Sequence, residues 1–550
     1  MNDLFARHRG LLETAVKALS ERGFWSPFPE IPSGKIYGDT AKDDGEASFK
    51  ALLGAKFELP GHPENMRLGS EKSPWGLNLD ILYPASDAAT LVAASKAAGD
   101  AWADASPDAR VGVCLEILTR LNRISFEMAN AVMHTTGQAF PMAFQAGGPH
   151  AQDRGLEAVA TAWVEMSRTP GQATWEKPQG KAPSIVLEKN WQVVPRGVAL
   201  AIGCQTFPTW NTYPGLFASL ATGNTVIVKP HPGAILPLAL TVKVAREVLV
   251  EAGFSADVVL LAVDQAGAEI TKELVTHPDI GIIDYTGSSV FGEWVRGNAR
   301  SAQVFTEEAG VNSIVIAATD DFAGMCANIA FSLSLYSGQM CTAPQDIFVP
   351  RAGISSDEGH KSFDEVTTAI AAAVDALLSD PARASGVCGA IANQATLARV
   401  DRARSFGRIV RDSQPISAGC SATPLIVAVD AAETKAHEDE CFGPVAFVVA
   451  VDSAEAGIDA AASLARTKGA ITAALYDTDE ARIAHAVKAF ARAGVNLSIN
   501  LTGNIFVNQS AAFSDFHVTG GNPAGNASLT DTAFVANRFR LAMWRRPKAA

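Results

Sequence analysis

Short apolar runs alternate with longer amphipathic stretches through the middle of the chain. The runs "VALAIGC", "TVIVKPH", "DVVLLAV" and "IGIIDYTGSS" have the length and near-continuous hydrophobicity of buried strands. The stretches between them, "PGLFASLATG", "ALTVKVAREVLVEAG" and "AGAEITKELVTHPD", have the length and apolar spacing of helices. This alternation predicts an α/β protein with a parallel, doubly wound sheet. Such sheets bind ligands at the carboxyl ends of their strands.

A second α/β segment follows from residue 308 onward. It contains the strand-like runs "NSIVIA", "DIFVP", "GPVAFVVAV" and "AITAALYD" and the helix-like "FAGMCANIAFSLSLYS". Before the first sheet, residues 86–170 are Ala-rich and helical in pattern, whereas Pro and Gly clusters break residues 1–85 into loop-rich pieces after an amphipathic opening. The pattern therefore predicts two α/β domains behind an N-terminal helical region.

Composition limits the class of protein. The 550 residues are 48% hydrophobic and 19% charged, enough for two or three domains with sizeable cores. The 58 acidic residues outnumber the 45 basic ones, giving a net charge of −13 and arguing against a nucleic-acid partner. No long apolar window or export signal is apparent, so we expect no membrane partner and a cytoplasmic location.

The cysteines are scattered. None of the seven forms a CxxC pair or has zinc-ligand spacing with a histidine, so no metal site is expected. We expect free thiols, most of them packed in cores.

Two turns are candidates for cofactor binding. In "DYTGSSVFG", Gly287 and Ser288 follow a strand and open a helix, where backbone amides suit a pyrophosphate, although an ordinary turn explains the same pattern. Lys229 ends the strand "TVIVK" at the carboxyl edge, where it suits ribose hydroxyls, although a solvated lysine is equally consistent.

Taken together, these stretches resemble the aldehyde dehydrogenase superfamily. The resemblance runs from about residue 190 to 510 through "VPRGVALAIGCQTFPTWN", "GNTVIVKP", "YTGSSVFG", "TEEAGVN", "SGQMC" and "ECFGPV", in the order of the family. A further similarity, through "GQMCTAPQD" and the "FHVTGGNPAGNA" tail, is to the phenylacetate-degradation aldehyde dehydrogenases. That branch implies oxidation of a CoA-linked semialdehyde formed by ring opening.

The resemblance implies a role for each motif. Cys341 is the nucleophile that forms a thiohemiacetal and then a thioester, and NADP or NAD accepts the hydride. Glu307 is the base that activates water; Glu308 is a rival, but neighbours on a strand face opposite sides, so only one can serve. The remaining implied positions are the nicotinamide contacts Glu440 and Phe442 and the substrate funnel residues Phe207, Asn211 and Thr342.

The sequence departs from the family pattern in three motifs. Thr206 stands where an asparagine usually supports the oxyanion, and its hydroxyl offers one hydrogen bond in place of the amide. A glycine and a lysine of the "TEEAGVN" region are replaced by Ala309 and Val311. Pro232, beside His231, replaces the usual acidic residue after Lys-Pro, so we expect NADP to be accepted and preferred to NAD.

The resemblance also implies a domain organisation. We expect an NAD(P)-binding domain at 1–174 and 191–307, a catalytic domain at 308–509, and a β-rich oligomerisation element at 175–190 and 510–550 that makes a homodimer or a dimer of dimers. The substrate is a small-molecule aldehyde, with a CoA linkage as the finer expectation. Two alternatives stay open: a CoA-acylating dehydrogenase, and a catalytically silent binding member of the fold.

Overall fold

A five-stranded parallel sheet forms the first half of the computed structural model, which describes residues 4–308, 310–416 and 420–548. Its strands lie in the order Val259–Leu261, Thr225–Lys229, Val198–Ile202, Ile280–Gly287 and Gln303–Glu308. The two strands "VALAI" and "TVIVK" are buried along their whole length, as expected where helices cover both faces of a sheet. The predicted doubly wound sheet is therefore confirmed.

Helices surround this sheet. Those that alternate with its strands, together with the helix that precedes them, are Ala88–Asp104, Pro208–Ala221, Leu236–Glu251, Ile270–Thr276 and Ser289–Asn298. The rest of the Ala-rich region forms four further helices, Pro107–Arg123, Ser125–Thr136, Phe140–Gly147 and Pro149–Ser167. Asp87 and Ser106 cap two of these helices by accepting backbone N–H groups three residues ahead.

The second domain contains a seven-stranded sheet. Its order is Arg408–Arg411, Leu425–Asp430, Val445–Val451, Pro344–Pro350, Asn312–Ile316, Thr472–Tyr476 and Asn496–Ile499. The edge strand Arg408–Arg411 is antiparallel and the others are parallel. The helices of this domain are Phe322–Ser334, Phe363–Leu377, Pro381–Cys388, Gln394–Ala403, Thr434–His437, Ala454–Lys468 and Glu480–Ala493, and a small sheet joins Ala318–Thr319, Ile354–Ser356 and Gly359–Lys361.

The N-terminal region holds more regular structure than its Pro and Gly clusters suggest. It contains the helices Leu4–Glu21, Gly34–Tyr37 and Ala41–Leu52 and the paired strands Met66–Leu68 and Tyr83–Ala85. Gly45 weakens the helical signal of "AKDDGEASFKAL", but a Cβ atom there would lie 2.4 Å from Cβ of Phe126. The glycine therefore lets this helix pack closely on the helix that carries Phe126.

Three antiparallel strands, Gln172–Gln179, Ala182–Pro195 and Phe539–Pro547, form a largely exposed sheet that we call the arm. The arm matches part of the predicted oligomerisation element. Residues 510–538 lie elsewhere, because Phe513 and Phe534 are buried in the main core. The tail therefore belongs to the body of the molecule before it reaches the arm.

The tail is fastened to the first sheet by a buried ion pair. Arg538, with no exposed surface, places its Nη1 atom 2.8 Å from Asp284 Oδ2 and its Nη2 atom 2.5 Å from Oδ1. Its guanidinium also lies over the rings of Phe305 and Phe534. Asp284 belongs to the strand Ile280–Gly287, so this contact joins the chain end to the five-stranded sheet.

Within the described ranges, no helix combines the length and the apolar character needed to cross a bilayer. All seven cysteines are free thiols, as the sequence predicts.

Candidate active site

A strained turn presents Cys341. Tyr336, Ser337 and Gly338 have φ values of 52°, 50° and 61°, so three successive residues are left-handed before the cysteine. The turn follows the helix Phe322–Ser334 and leads into the strand Pro344–Pro350.

Buried hydrogen bonds hold this turn. The hydroxyl of Tyr336 donates to the carbonyl oxygen of Thr136 at 2.6 Å, across the boundary between the two domains. Ser337 Oγ lies 3.0 Å and 2.9 Å from the carbonyl oxygens of Cys388 and Ala422. Both side chains are fully buried, so the surrounding structure enforces the left-handed conformation.

The motif "ECFGPV" meets the cysteine turn directly. A Cβ atom on Gly338 would lie 2.3 Å from the carbonyl oxygen of Gly443, so only glycine fits there. Gln345 fixes the segment before it, accepting the N–H of Cys441 at 2.6 Å and donating to the His437 carbonyl at 3.0 Å. The sequence analysis did not single out Gln345.

Glu307, Cys341 and His517 converge in space. The thiol of Cys341 donates to Glu307 Oε1 with 3.5 Å between sulfur and oxygen. His517 Nε2 lies 3.0 Å from the same oxygen and 3.9 Å from the sulfur. All three come from distant parts of the chain, and the sequence analysis missed the histidine.

Asn211 anchors the carboxylate. Its Nδ2 atom lies 3.0 Å from Oε1 and 2.9 Å from Oε2 of Glu307, and its Oδ1 atom lies 3.6 Å from the Cys204 thiol. Glu308 points the other way and pairs with Arg296. The alternation of faces on the strand therefore separates the two glutamates, as predicted.

Asn312 holds the backbone around the nucleophile. Its Nδ2 atom donates to the carbonyl oxygens of Cys341 and Ala343 at 2.8 Å and 3.0 Å. Its Oδ1 atom accepts the N–H groups of Ile471 and Thr472 at 2.9 Å and 3.0 Å. All four side-chain contacts are used to bind three segments together, which accounts for the asparagine in "TEEAGVN".

Burial and charge set the protonation states. Burial alone would favour a neutral Glu307, but the charge of His517 and hydrogen bonds from His517, Cys341 and Asn211 outweigh it and lower the pKa of the carboxyl. Burial, followed by the negative charge of Glu307, raises the pKa of the Cys341 thiol well above its ordinary value. The resting pair is therefore a thiol beside a carboxylate.

The ring of His517 is held from its other side. Trp210 packs edge-on against it with ring centroids 4.6 Å apart. Ser510 Oγ lies 3.5 Å from Nδ1 and accepts a hydrogen bond from Arg154 Nη2 at 3.1 Å. The fully buried Arg154 is in turn paired with Glu157 at 2.8 Å.

A cavity of about 950 Å³ opens onto Cys341. Phe207, Asn211 and Thr342, the three predicted substrate residues, all line it. Much of its lining is apolar. These apolar side chains come from the N-terminal segment and from two positions in the second half of the chain: Phe24, Trp25, Phe28, Ile31, Phe331 and Ile505.

Four predicted cofactor residues lie at the carboxyl edge of the first sheet. Lys229 is buried and donates to Asp264 Oδ1 at 2.7 Å, while His231 is exposed, with Nδ1 accepting the N–H of Gly233. Gly287 ends its strand and Ser288 caps the helix Ser289–Asn298. A Cβ atom on Gly287 would lie 2.4 Å from Oη of Tyr285, which donates to the carbonyl oxygen of Ser288 at 2.9 Å, so glycine is needed there for the tyrosine ring to pack against the turn.

Glu440 and Phe442 are half-buried beside the cysteine turn. Burial raises the pKa of Glu440 to about 7, against the opposing charge of Arg399. Arg399 also donates to the carbonyl oxygen of Phe442 at 3.1 Å.

Thr206 is half-buried and sits near Cys204, with 3.9 Å between Oγ1 and Sγ. Its carbonyl oxygen accepts a hydrogen bond from Gln138 at 2.8 Å. Of the residues replaced in the "TEEAGVN" motif, Val311 is buried in the second core, and Ala309 lies outside the described residues.

The two sheets and the half-buried thiol beside a carboxylate form an arrangement that suits chemistry at a cysteine. Residues 82–524 match the family described as "Aldehyde dehydrogenase family". The chain therefore belongs to the aldehyde dehydrogenase family and is an enzyme of that class.

Several relatives are similar over most of their length. A crystal structure of an NAD-dependent aldehyde dehydrogenase from Burkholderia multivorans is 54% identical, with a TM-score of 0.98 and 100% of both chains covered. An N-succinylglutamate 5-semialdehyde dehydrogenase of Burkholderia cenocepacia is 28% identical over 75% of this chain and 80% of its own. A 2-aminomuconic 6-semialdehyde dehydrogenase of a Pseudomonas species is 27% identical over 74% and 81%.

Proposed function

We propose that the protein oxidises a bulky semialdehyde to a carboxylic acid, using NAD or NADP, through a thioester on Cys341. The carrying observation is the Cys341 thiol, 3.5 Å from the Glu307 carboxylate and facing a cavity of about 950 Å³. A thiolate can add reversibly to a carbonyl carbon and later leave from an acyl group, which suits it to this reaction.

In the first step Cys341 loses its proton and attacks the aldehyde. Glu307 Oε1 is placed to accept that proton, because the thiol already donates to it. The carbonyl oxygen becomes an alkoxide, for which the hydroxyl of Thr206 is our candidate hydrogen-bond donor. Asn211, whose Nδ2 bonds both carboxylate oxygens, keeps Glu307 aimed at the sulfur.

The bound nicotinamide supplies a hydride acceptor. The helix N-terminus that Ser288 caps, directly after Gly287, suits its pyrophosphate, and the half-buried Glu440 and Phe442 suit its ribose and ring. Loss of hydride leaves an acyl thioester on Cys341, and Glu307 gives the proton it took from the thiol to solvent. The ionised Glu307 then takes a proton from water, whose oxygen attacks the acyl carbon, so that the C–S bond breaks, the Cys341 sulfur leaves and is reprotonated, and the acid is released. His517, 3.0 Å from Glu307, stabilises the ionised carboxylate.

The cavity supports a large substrate. A volume of about 950 Å³ lies at the upper end of the range for ligand pockets, far more than a short aldehyde fills. We infer a CoA-linked semialdehyde from ring opening in phenylacetate breakdown. Both semialdehyde relatives act, by their names, on aldehydes that carry further polar groups.

Asp153, which lines this cavity, has one unpaired carboxyl oxygen. The residue is buried, and burial raises the pKa of its carboxyl well above the ordinary value against the opposing hydrogen bond of Ser26, while its Oδ1 atom has no hydrogen-bond partner among the described residues. A neutral acid in an apolar wall suits an amide or hydroxyl of the substrate better than a charged group.

The substrate assay compares free semialdehydes with their CoA-linked forms by NAD(P)H absorbance, with Cys341→Ala as the control. We expect kcat/KM to be at least about tenfold higher for the linked forms, since the filled cavity contributes binding energy. Mass spectrometry of the product distinguishes the acid from a thioester made with added CoA. Equal rates for truncated aldehydes would contradict the proposed substrate, and a thioester product would favour the CoA-acylating alternative.

For the cofactor we propose that NADP is accepted, with NAD as the other candidate. Pro232 provides no carboxylate to repel a 2′-phosphate, and His231 beside it is exposed. Lys229 is already paired with Asp264, and the 54% identical relative is named NAD-dependent, which favours NAD. The ratio of kcat/KM for the two cofactors decides between them.

We also propose that the arm mediates a homodimer or a dimer of dimers. Apolar side chains are exposed along its strands: Trp175, Ile185, Leu541, Met543 and Trp544. Such a surface is typical of a subunit interface. Light scattering should show a multimer that Trp544→Lys with Met543→Lys dissociates, whereas a monomeric wild type would contradict the proposal.

A further inference from the structure

Glu307, Cys341 and His517 together also resemble a set of metal ligands. Sulfur, imidazole nitrogen and carboxylate oxygen are ligands that zinc prefers. In the part of the chain that the structure describes, this is the one place where three such side chains lie within reach of a single ion. We propose that Glu307, Cys341 and His517 bind one Zn²⁺ ion, and that this ion reversibly blocks the nucleophile.

The distances between the ligand atoms fit a tetrahedral ion. With Zn–S near 2.3 Å and Zn–N and Zn–O near 2.0 Å, tetrahedral edges are about 3.5 Å from sulfur to nitrogen or oxygen and about 3.3 Å from nitrogen to oxygen. The structure has 3.5 Å from Sγ to Oε1, 3.9 Å from Sγ to Nε2, and 3.0 Å from Nε2 to Oε1. Each edge is therefore within about 0.4 Å of the ideal, and small side-chain rotations accommodate the ion.

The charge and the outer contacts suit the same ion. A thiolate, a carboxylate and Zn²⁺ sum to zero charge, so the occupied site carries no net charge. Asn211 bonds both oxygens of Glu307, and Ser510 Oγ lies 3.5 Å from Nδ1 of His517. Such outer contacts orient metal ligands. The cavity lined by Cys341 and His517 leaves the fourth position to water.

Binding of the metal competes with aldehyde oxidation. Zn²⁺ displaces the proton from the Cys341 sulfur, and a second proton from His517 when the imidazole is charged, so binding releases protons. The sulfur electron pair then serves the metal and cannot attack a carbonyl. Removal of zinc by a chelator returns the free thiol without any redox change.

The binding test uses the purified, metal-free full chain and Zn²⁺ alone, followed by calorimetry and metal analysis after gel filtration. We expect one tightly bound ion per chain. His517→Ala and Glu307→Gln should each weaken it by more than about tenfold. His485→Ala is the matched control, because that histidine makes an ion pair with Asp459 at the surface. Its affinity should equal that of the wild type.

Cobalt reports on the ligands without depending on a variant that folds poorly. Co²⁺ bound to the wild type should show a thiolate charge-transfer band, which disappears when Cys341 has been alkylated by iodoacetamide beforehand. Absence of a tight site, equal affinity in His517→Ala, or a charge-transfer band that survives alkylation would each overturn the proposal.

Because these measurements need neither aldehyde nor nicotinamide, they are independent of the proposed activity. An inactive protein that still binds one zinc would contradict the proposed function alone. An active protein that zinc inhibits, with recovery after chelation, supports both, whereas an active protein without the site contradicts only the zinc proposal.

Discussion

Asn211 donates hydrogen bonds to both carboxylate oxygens of Glu307, at 3.0 Å and 2.9 Å, although 96 residues separate the two along the chain. The family resemblance predicts a place for Asn211 in the substrate funnel, and the residue lines the cavity beside Cys341. The contact suggests a second role, in which the amide fixes the direction of the Glu307 carboxylate, our proposed base.

Replacing this amide tests that role. Asn211→Ala should lower kcat by about 10- to 100-fold, because a hydrogen bond to a charged group contributes about 1.5–3 kcal/mol. The substrate KM should change less. Thr342→Ala is the matched control, since that residue also lines the cavity but bonds the carbonyl oxygen of Asn508. A variant that changes KM alone would show that Asn211 contacts only the substrate.

Loss of the thiol should abolish turnover. We expect Cys341→Ser to lower kcat by at least about 10⁴-fold, because a serine hydroxyl is a far weaker nucleophile here, while folding and cofactor binding persist. The comparison is Cys204→Ser, a cysteine 3.6 Å from Asn211 that should keep most of the activity. Turnover near wild type in Cys341→Ser would refute the assignment of the nucleophile.

Loss of the base should separate acylation from deacylation. Glu307→Gln should give a burst of NAD(P)H near one per active site and then stall, with an added acyl mass on Cys341. Stopped-flow absorbance and intact-protein mass spectrometry measure both. A missing burst would assign the first deprotonation to Glu307 as well, and an unchanged steady-state rate would remove it as the base.

The Cys341 thiol should lose its proton only at high pH. Burial and the charge of Glu307 raise the pKa of Cys341 well above 9.0, so alkylation by iodoacetamide should increase with pH beyond that value. Glu307→Gln removes a negative charge that disfavours the thiolate, so the midpoint should move to lower pH. Glu308→Gln, on the opposite face of the strand and paired with Arg296, should leave it in place. An upward shift in Glu307→Gln would contradict this electrostatic account.

The tail should depend on its buried ion pair. Arg538→Ala leaves Asp284 without its partner and should lower the free energy of unfolding by about 3–5 kcal/mol in urea denaturation. Arg546→Ala breaks an exposed pair with Glu188 in the arm and should cost about 1 kcal/mol or less. Equal decreases in the free energy of unfolding in both variants would show that burial of the Arg538 pair adds nothing to its contribution to stability.

Most of the fold could be predicted because its signals are local. "VALAI" and "TVIVK" are apolar runs of strand length, and the structure has them as adjacent buried strands. The short helix Ala41–Leu52 was harder, because Gly45 serves a contact with Phe126 that no local pattern reveals. The antiparallel edge strand Arg408–Arg411 was also missed, since only four residues carry its signal.

The candidate site could be predicted only in part, because not all of its residues carry a local sequence signal. Cys341 and Glu307 lie in motifs, but His517 comes from a Gly-rich tail that was expected to belong to an oligomerisation element. A lone histidine 176 residues from Cys341 has no local signature, and only its contacts in the folded chain, with Glu307, Cys341 and the ring of Trp210, reveal the position. Long-range packing, which sequence spacing does not encode, therefore supplies the third member of the cluster.

The left-handed turn before Cys341 fixes the position of the thiol before any substrate binds. Left-handed backbone disfavours a non-glycine residue by about 1–2 kcal/mol, and Tyr336 and Ser337 both adopt it. The buried hydrogen bonds of the two side chains offset this unfavourable conformational free energy when the chain folds. The thiol consequently starts each catalytic cycle already immobilised, and an arriving aldehyde need not give up binding energy to organise it.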